Sequence, residues 1–217
     1  AVSTGTRNTA VGPSALDAAT TGNDNTAFGA NALGAATTSS ANTALGSYAG
    51  AELTTGTSNV AVGYTALDAA TTASNNTAVG YAALTANTTG SQLTALGVNA
   101  LAANTTAIDN VAVGSHALYV NTTGASNTAV GRSALTANTT ASNNTAVGSY
   151  SLDANTTGAS NTAVGKSAAT AITTGASNVA IGMNALETAT TTDNSVAVGY
   201  AALATSAAGG NVAVGYT

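Results

Sequence analysis

His116 is the only histidine among 217 residues, and the chain has no cysteine. Acyl transfer through a serine nucleophile needs a base held beside it by a third group, so His116 leaves room for one such site at most. The carboxylates are scattered: Asp17, Asp68, Asp153 and Glu187 lie far apart in the chain, as do Asp24 and Asp109. A calcium ion needs several oxygens converging on one point. The Gly-Gly-x-Gly-x-Asp run of calcium-binding solenoids does not occur. No catalytic residue, metal or cofactor is therefore expected. Tyrosine is the most frequent distinctive side chain, with seven copies. Exposed aromatic faces stack on amphipathic ligands such as sugar rings, and also on one another.

All these residues are carried by a repeat. Gly12, Gly29, Gly46, Gly63, Gly80, Gly97, Gly114, Gly131, Gly148, Gly165, Gly182 and Gly199 follow one another at steps of 17, and a step of 16 past the irregular residues 206–210 leads to Gly215. Numbered from the asparagine that typically precedes each glycine by four, the unit reads N-T-A-V-G-x-x-A-L-x-A-N-T-T-G-A-S. As a helix it would run about 4.7 turns and smear its apolar columns around the axis. Its glycine, threonine and asparagine are also poor helix formers. Short strands joined by tight turns fit better, each coil stacked on the next. The expectation is an all-β, single-stranded parallel β-solenoid or β-roll. About 13 coils at ~4.8 Å each make a rod of roughly 60 Å. It forms one continuous domain over 1–217, with a partial coil at 1–7, repeats over 8–210 and a terminal partial coil at 211–217. Neither end reads as a cap, so flanking repeats or head-to-tail copies are expected to cover the open edges.

Position 4 is always Val, Phe, Leu or Ile, from Val11 to Val214, and position 9 is Leu in most units. Strand alternation places positions 2 and 4 on one face, and the bulky column is expected to line the interior together with the leucines of position 9. Position 3, Ala in every unit, would then face outward. An invariably small outward residue points to close self-association, with Ala61, Ala78, Ala95, Ala112, Ala129 and Ala146 as the contact column. Glycine at position 5 fits a bend with positive φ or a close backbone approach. Asparagine at position 1 is expected to stack into an amide ladder between coils.

Unusual side chains collect at the variable positions 6, 7 and 10. Tyr64, Tyr81, Tyr200 and Tyr216 share position 6 with Arg132, Lys166 and Met183; Tyr48, Tyr150 and His116 sit at position 7, and Tyr119 at position 10. Tyr64, Tyr81, His116, Arg132 and Tyr150 are the candidate ligand-facing set, with ring-on-ring packing as the plainer reading. Positions 13 and 14 form a Thr-Thr column that includes Thr88, Thr89, Thr105, Thr106, Thr122 and Thr123. A flat, charge-free threonine array can order water, so ice binding is the alternative function. Turn and ladder hydrogen bonding is the structural explanation of the same column.

Charged residues make up 5% of the chain against a usual quarter, while 44% are hydrophobic and the net charge is −5. Disordered chains combine low hydrophobicity with high charge, so order is favoured. Three basic residues argue against nucleic-acid binding. No apolar run is long enough to span a bilayer, and no leader opens the segment.

The units at residues 76–84 and 127–135, with N-T-T-G-A-S at 121–126 and 155–160, resemble the head repeats of trimeric autotransporter adhesins. Similar repeats occur in bacteriophage tail fibres and tailspikes. The units here are a few residues longer than is common in that family. The resemblance implies a left-handed parallel β-roll, three chains around one axis, and a role as an extracellular adhesive or structural fibre on a cell or virion surface. Its partners would be itself, as a homotrimer or head-to-tail fibre, and a host surface or glycan.

Overall fold

A computed structural model describes residues 4–205 and 208–217. The opening residues 1–3 and the break in period at 206–207 lie outside the described residues. The chain divides into two compact units, Ala1–Asp109 and Asn110–Thr217.

In the first unit the strands are β1 (Thr9–Val11), β2 (Thr26–Phe28), β3 (Thr43–Leu45), β4 (Val60–Val62), β5 (Thr77–Val79) and β6 (Thr94–Leu96). Within the unit successive strands pair in parallel, from Thr9 against Thr26 to Val79 against Leu96. The second unit repeats the plan with β7 (Val111–Val113), β8 (Thr128–Val130), β9 (Thr145–Val147), β10 (Thr162–Val164), β11 (Val179–Ile181), β12 (Val196–Val198) and β13 (Val212–Val214). Its registers run from Val111 against Thr128 to Val196 against Val212. Sequential parallel strands that are also spatial neighbours make each unit a parallel β-solenoid. No helix occurs among the described residues.

Outside the strands the backbone still bonds coil to coil. Leu67 N–H donates to Ala83 O at 2.9 Å, Thr71 N–H to Thr88 O at 3.0 Å and Asn75 N–H back to Thr57 O at 3.0 Å. Two tight turns follow each strand, closed by bonds such as Ala66 N–H to Gly63 O and Asn87 N–H to Leu84 O. This geometry needs left-handed residues at positions 7, 9 and 17. Tyr48 (φ 59°), Leu67 (φ 56°) and Asp24 (φ 59°) are examples. Each such non-glycine residue costs on the order of 1–2 kcal/mol, which the hydrogen bonds and the buried Leu offset. The position 5 glycines have φ between 127° and 143°, and both reasons anticipated for them hold. A Cβ on Gly46 would lie 2.5 Å from the carbonyl oxygen of Gly63 in the next coil.

The strand facing is the reverse of the sequence expectation. Position 3 points inward: Ala78, Ala95, Ala112, Ala129 and Ala146 are fully buried and Ala61 nearly so. These six alanines are core, so they are not a self-association column. Positions 2 and 4 face outward, with Phe28 at 54% and Leu45 at 48% exposure. The reason is volume. Each interior is already filled by one large aliphatic side chain and the position 1 residue, usually asparagine, so the strand can add only a methyl group.

The large side chain is Leu at position 9 in most coils, with Ala or Asn at position 12. Two coils exchange them, Gly50 with Leu53 and Ala169 with Ile172. Leu53 and Ile172 are fully buried, like Leu33, Leu67, Leu135 and Leu186. One large aliphatic group shared between positions 9 and 12 of each coil is the packing rule. In one coil Leu93 takes the place of the position 1 asparagine and is buried there.

The asparagine ladder is present and buried. Asn42 N–H donates to Asn25 Oδ1 at 3.0 Å and Asn59 N–H to Asn42 Oδ1 at 2.9 Å, while Asn59 Nδ2 donates to Ala73 O at 2.9 Å. The same pattern joins Asn127, Asn144 and Asn161. Buried amides are costly unless satisfied, and each coil satisfies the next. A second ladder at position 12 links Asn121, Asn138 and Asn155. It stops where Ile172 replaces the next asparagine, and Asn155 Oδ1 is left buried without a partner.

Candidate functional site

Side chains that leave the coil after each strand meet in one row of aromatic rings in the first unit and in separate pairs in the second. In the first unit, Tyr64 and Tyr81 stack with centroids 5.7 Å apart and planes 15° apart. Tyr48 meets Tyr64 at 6.2 Å and 78°. In the second unit, His116 meets Tyr119 edge-on at 5.2 Å, and the Arg132 guanidinium lies 5.2 Å from the centre of the Tyr150 ring. The candidate ligand-facing residues are therefore brought together as pairs within each unit. Tyr200 and Tyr216 form a further stack.

The Ser115 hydroxyl lies 2.8 Å from His116 Nδ1. This is a contact between sequence neighbours, and the imidazole packs against the Tyr119 ring at 67°. Among the described residues no three His, Cys, Asp or Glu side chains come together as a metal-binding group. Arg7 holds Asp24 in an ion pair, with Nη2 to Oδ2 at 2.7 Å, and this hydrogen bond draws the carboxyl below its usual range.

The Thr-Thr column splits in two. Position 13 hydroxyls are half-buried and donate to the next coil's carbonyl: Thr88 to Thr105 O at 3.0 Å and Thr122 to Thr139 O at 3.1 Å. Thr89, Thr106 and Thr123 at position 14 are exposed. What the column offers water is a single file of threonines.

Comparison with family models, curated proteins and solved structures returns no match.

Sequence reasoning missed an open cleft of about 490 Å³ in the first unit, lined by Ser14, Asp17, Asn31, Gly34, Ala35, Tyr48, Ala51 and Glu52. Its floor exists because Gly34 and Ala51 occupy position 10 between Asp17 and Asp68. Those small residues were the available signal.

Two carboxyls titrate above the ordinary range. Burial pushes Asp68 up, with a smaller contribution from Glu52, and burial alone pushes up Asp153. Asp153 Oδ1 is buried without a hydrogen-bond partner. An acid with a raised folded pKa binds its proton more tightly in the folded state, so its stabilising contribution is lost as pH rises through that pKa. Asp153→Asn is accordingly expected to raise the melting temperature at about pH 7, with the gain shrinking as pH falls towards ~4. Circular dichroism melts at the two pH values check this, and a gain that grew at low pH would contradict it.

Proposed function

We propose that the chain is a non-enzymatic repeat segment of an extracellular fibre whose copies associate through the outward face of the β-sheet. The observation that carries this reading is the pair of columns at positions 2 and 4. Val11, Phe28, Leu45 and Leu96 in the first unit, and Val147, Val164 and Ile181 in the second, are exposed. They alternate with threonine and valine, and no strand residue is charged. Single exposed apolar residues are ordinary, but a contiguous patch marks an interaction surface. Rows repeating at one spacing of ~4.8 Å match a second copy of themselves, which favours self-association over an unrelated partner. The resemblance of the repeat to adhesin heads supports three copies around an axis and a cell or virion surface as the location, and the glycine spacing supports 17-residue coils as the building unit.

The test is Val130→Lys combined with Val147→Lys in the intact chain. The wild type is expected to sediment as a multiple of 20.4 kDa, and the double variant as a single chain with an unchanged circular dichroism spectrum. A monomeric wild type, or a variant of unaltered mass, would overturn the reading.

The same face favours a second reading. Threonine and valine two positions apart on a charge-free parallel sheet form an array suited to ordering water, a better ice-binding candidate than the Thr-Thr column. Thermal hysteresis in the wild type, abolished by the lysine pair, would select it.

A further inference from the structure

The cleft beside Tyr48 sets an exposed aromatic ring among polar side chains. We propose that it binds neutral pyranose residues of a glycan, with Tyr48 as the stacking platform and Asp17, Asn31 and Glu52 as hydrogen-bonding partners of the ring hydroxyls.

The aromatic geometry comes first. Tyr64 stacks on Tyr81 of the following coil, with planes 15° apart, so its other face turns toward the preceding coil. There Tyr48 meets it at 78°. A perpendicular contact of this kind covers at most one face of Tyr48, so at least one face is not taken by Tyr64. Tyr48 is 42% exposed and lines the cleft. An aromatic face of this kind accepts the C–H face of a pyranose, which is apolar, while the hydroxyls project around the rim.

The rim supplies what those hydroxyls need. Asp17 and Glu52 each offer acceptor oxygens, and Asn31 offers both donor and acceptor. Their side chains make no hydrogen bond among the described residues. The floor of Gly34, Ala35 and Ala51 carries no bulky group. A volume of about 490 Å³ falls within the range of small-ligand pockets.

Charge decides the class of sugar. The only Lys or Arg in the first unit is Arg7, and it is paired with Asp24. Two carboxylates with no cation beside them repel sulfated or carboxylated glycans and favour neutral ones. The cleft lies on the turns and not on the strand face assigned to self-association. It would bind in the same way whether or not copies associate, so its failure and the failure of the fibre reading are separable.

The experiment is affinity electrophoresis of the intact chain in native gels containing a soluble β-1,3-glucan, a xylan, a mannan or a galactomannan, with dextran sulfate as polyanionic control. Retardation is expected in at least one neutral gel. It should weaken roughly tenfold in Tyr48→Ala, the loss of about one stacking contact. It should weaken also in Asp17→Ala with Glu52→Ala, persist in Tyr48→Phe, and be unchanged in Arg132→Ala of the second unit. Migration unaltered by every neutral polysaccharide, retardation by dextran sulfate alone, or retardation retained by Tyr48→Ala with an unchanged melting temperature would each overturn the proposal.

Discussion

Gly131→Ala is expected to destabilise the second unit by about 3–5 kcal/mol. Two causes add. The residue has φ 135°, a conformation in which side chains are strained. Its new Cβ would also lie 2.6 Å from both the carbonyl carbon and the oxygen of Gly148 in the next coil. Those are backbone atoms, and they cannot move without opening the coil-to-coil hydrogen bonds. Gly215→Ala separates the two causes, because φ is 143° there but nothing stands within 4 Å of the added carbon. That variant should lose only the conformational part, about 1–3 kcal/mol. Denaturant melts of the two variants measure the difference, and equal losses would mean that stacking distance is not what holds glycine at position 5.

The second large effect is a compensated swap in the third coil. Leu53→Ala empties the coil of its one large side chain and should cost about 2–5 kcal/mol. Gly50→Leu alone adds a second large group where a Cβ already lies 3.1 Å from Leu33 Cδ2, an overpacking cost of about 1–3 kcal/mol. Combined, they recreate the arrangement of the neighbouring coils, Leu at position 9 and Ala at position 12. Gly50 already has φ 58°, close to Leu33 at 51° and Leu67 at 56°. The double variant should therefore return to within about 1 kcal/mol of wild type, a coupling of several kcal/mol between residues that share one cavity. Additive losses would contradict the rule of one large aliphatic shared between positions 9 and 12.

The solenoid could be read from the glycine spacing because a stacked coil tolerates no side chain at position 5, and the chain supplies none there. The position 1 ladder was also readable, since an asparagine recurring inside an apolar unit needs a partner that only the next coil can provide. Which way the strand faces was not. A three-residue strand alternates equally well with Val inside or with Ala inside, and bulk alone favours Val. The deciding quantity is the room left in the coil, and only the Gly50/Leu53 and Ala169/Ile172 exchanges disclose it. Left-handed conformations at positions 7 and 17 are hinted at by residues such as Asn31, Asn99, Asp24 and Asn75, types that tolerate them. Leu at position 9 gives no such hint, because its burial and not its propensity holds φ near 50°. The cleft at Tyr48 was hidden for another reason. It arises where the variable position 10 holds the small residues Gly34 and Ala51 in adjacent coils, and a consensus unit records that position only as x.

The central claim is that the outward strand face, and not the alanine column, joins one copy to another. Cryo-electron microscopy of the intact chain in solution, viewed down the coil stack of either unit, tests it most directly. The account predicts two or more coil sections around a common axis, with the Thr and Val columns of positions 2 and 4 turned toward one another and the turns carrying Tyr48, Tyr64 and Tyr81 outside. A single isolated section with its strand face bare to solvent would contradict it.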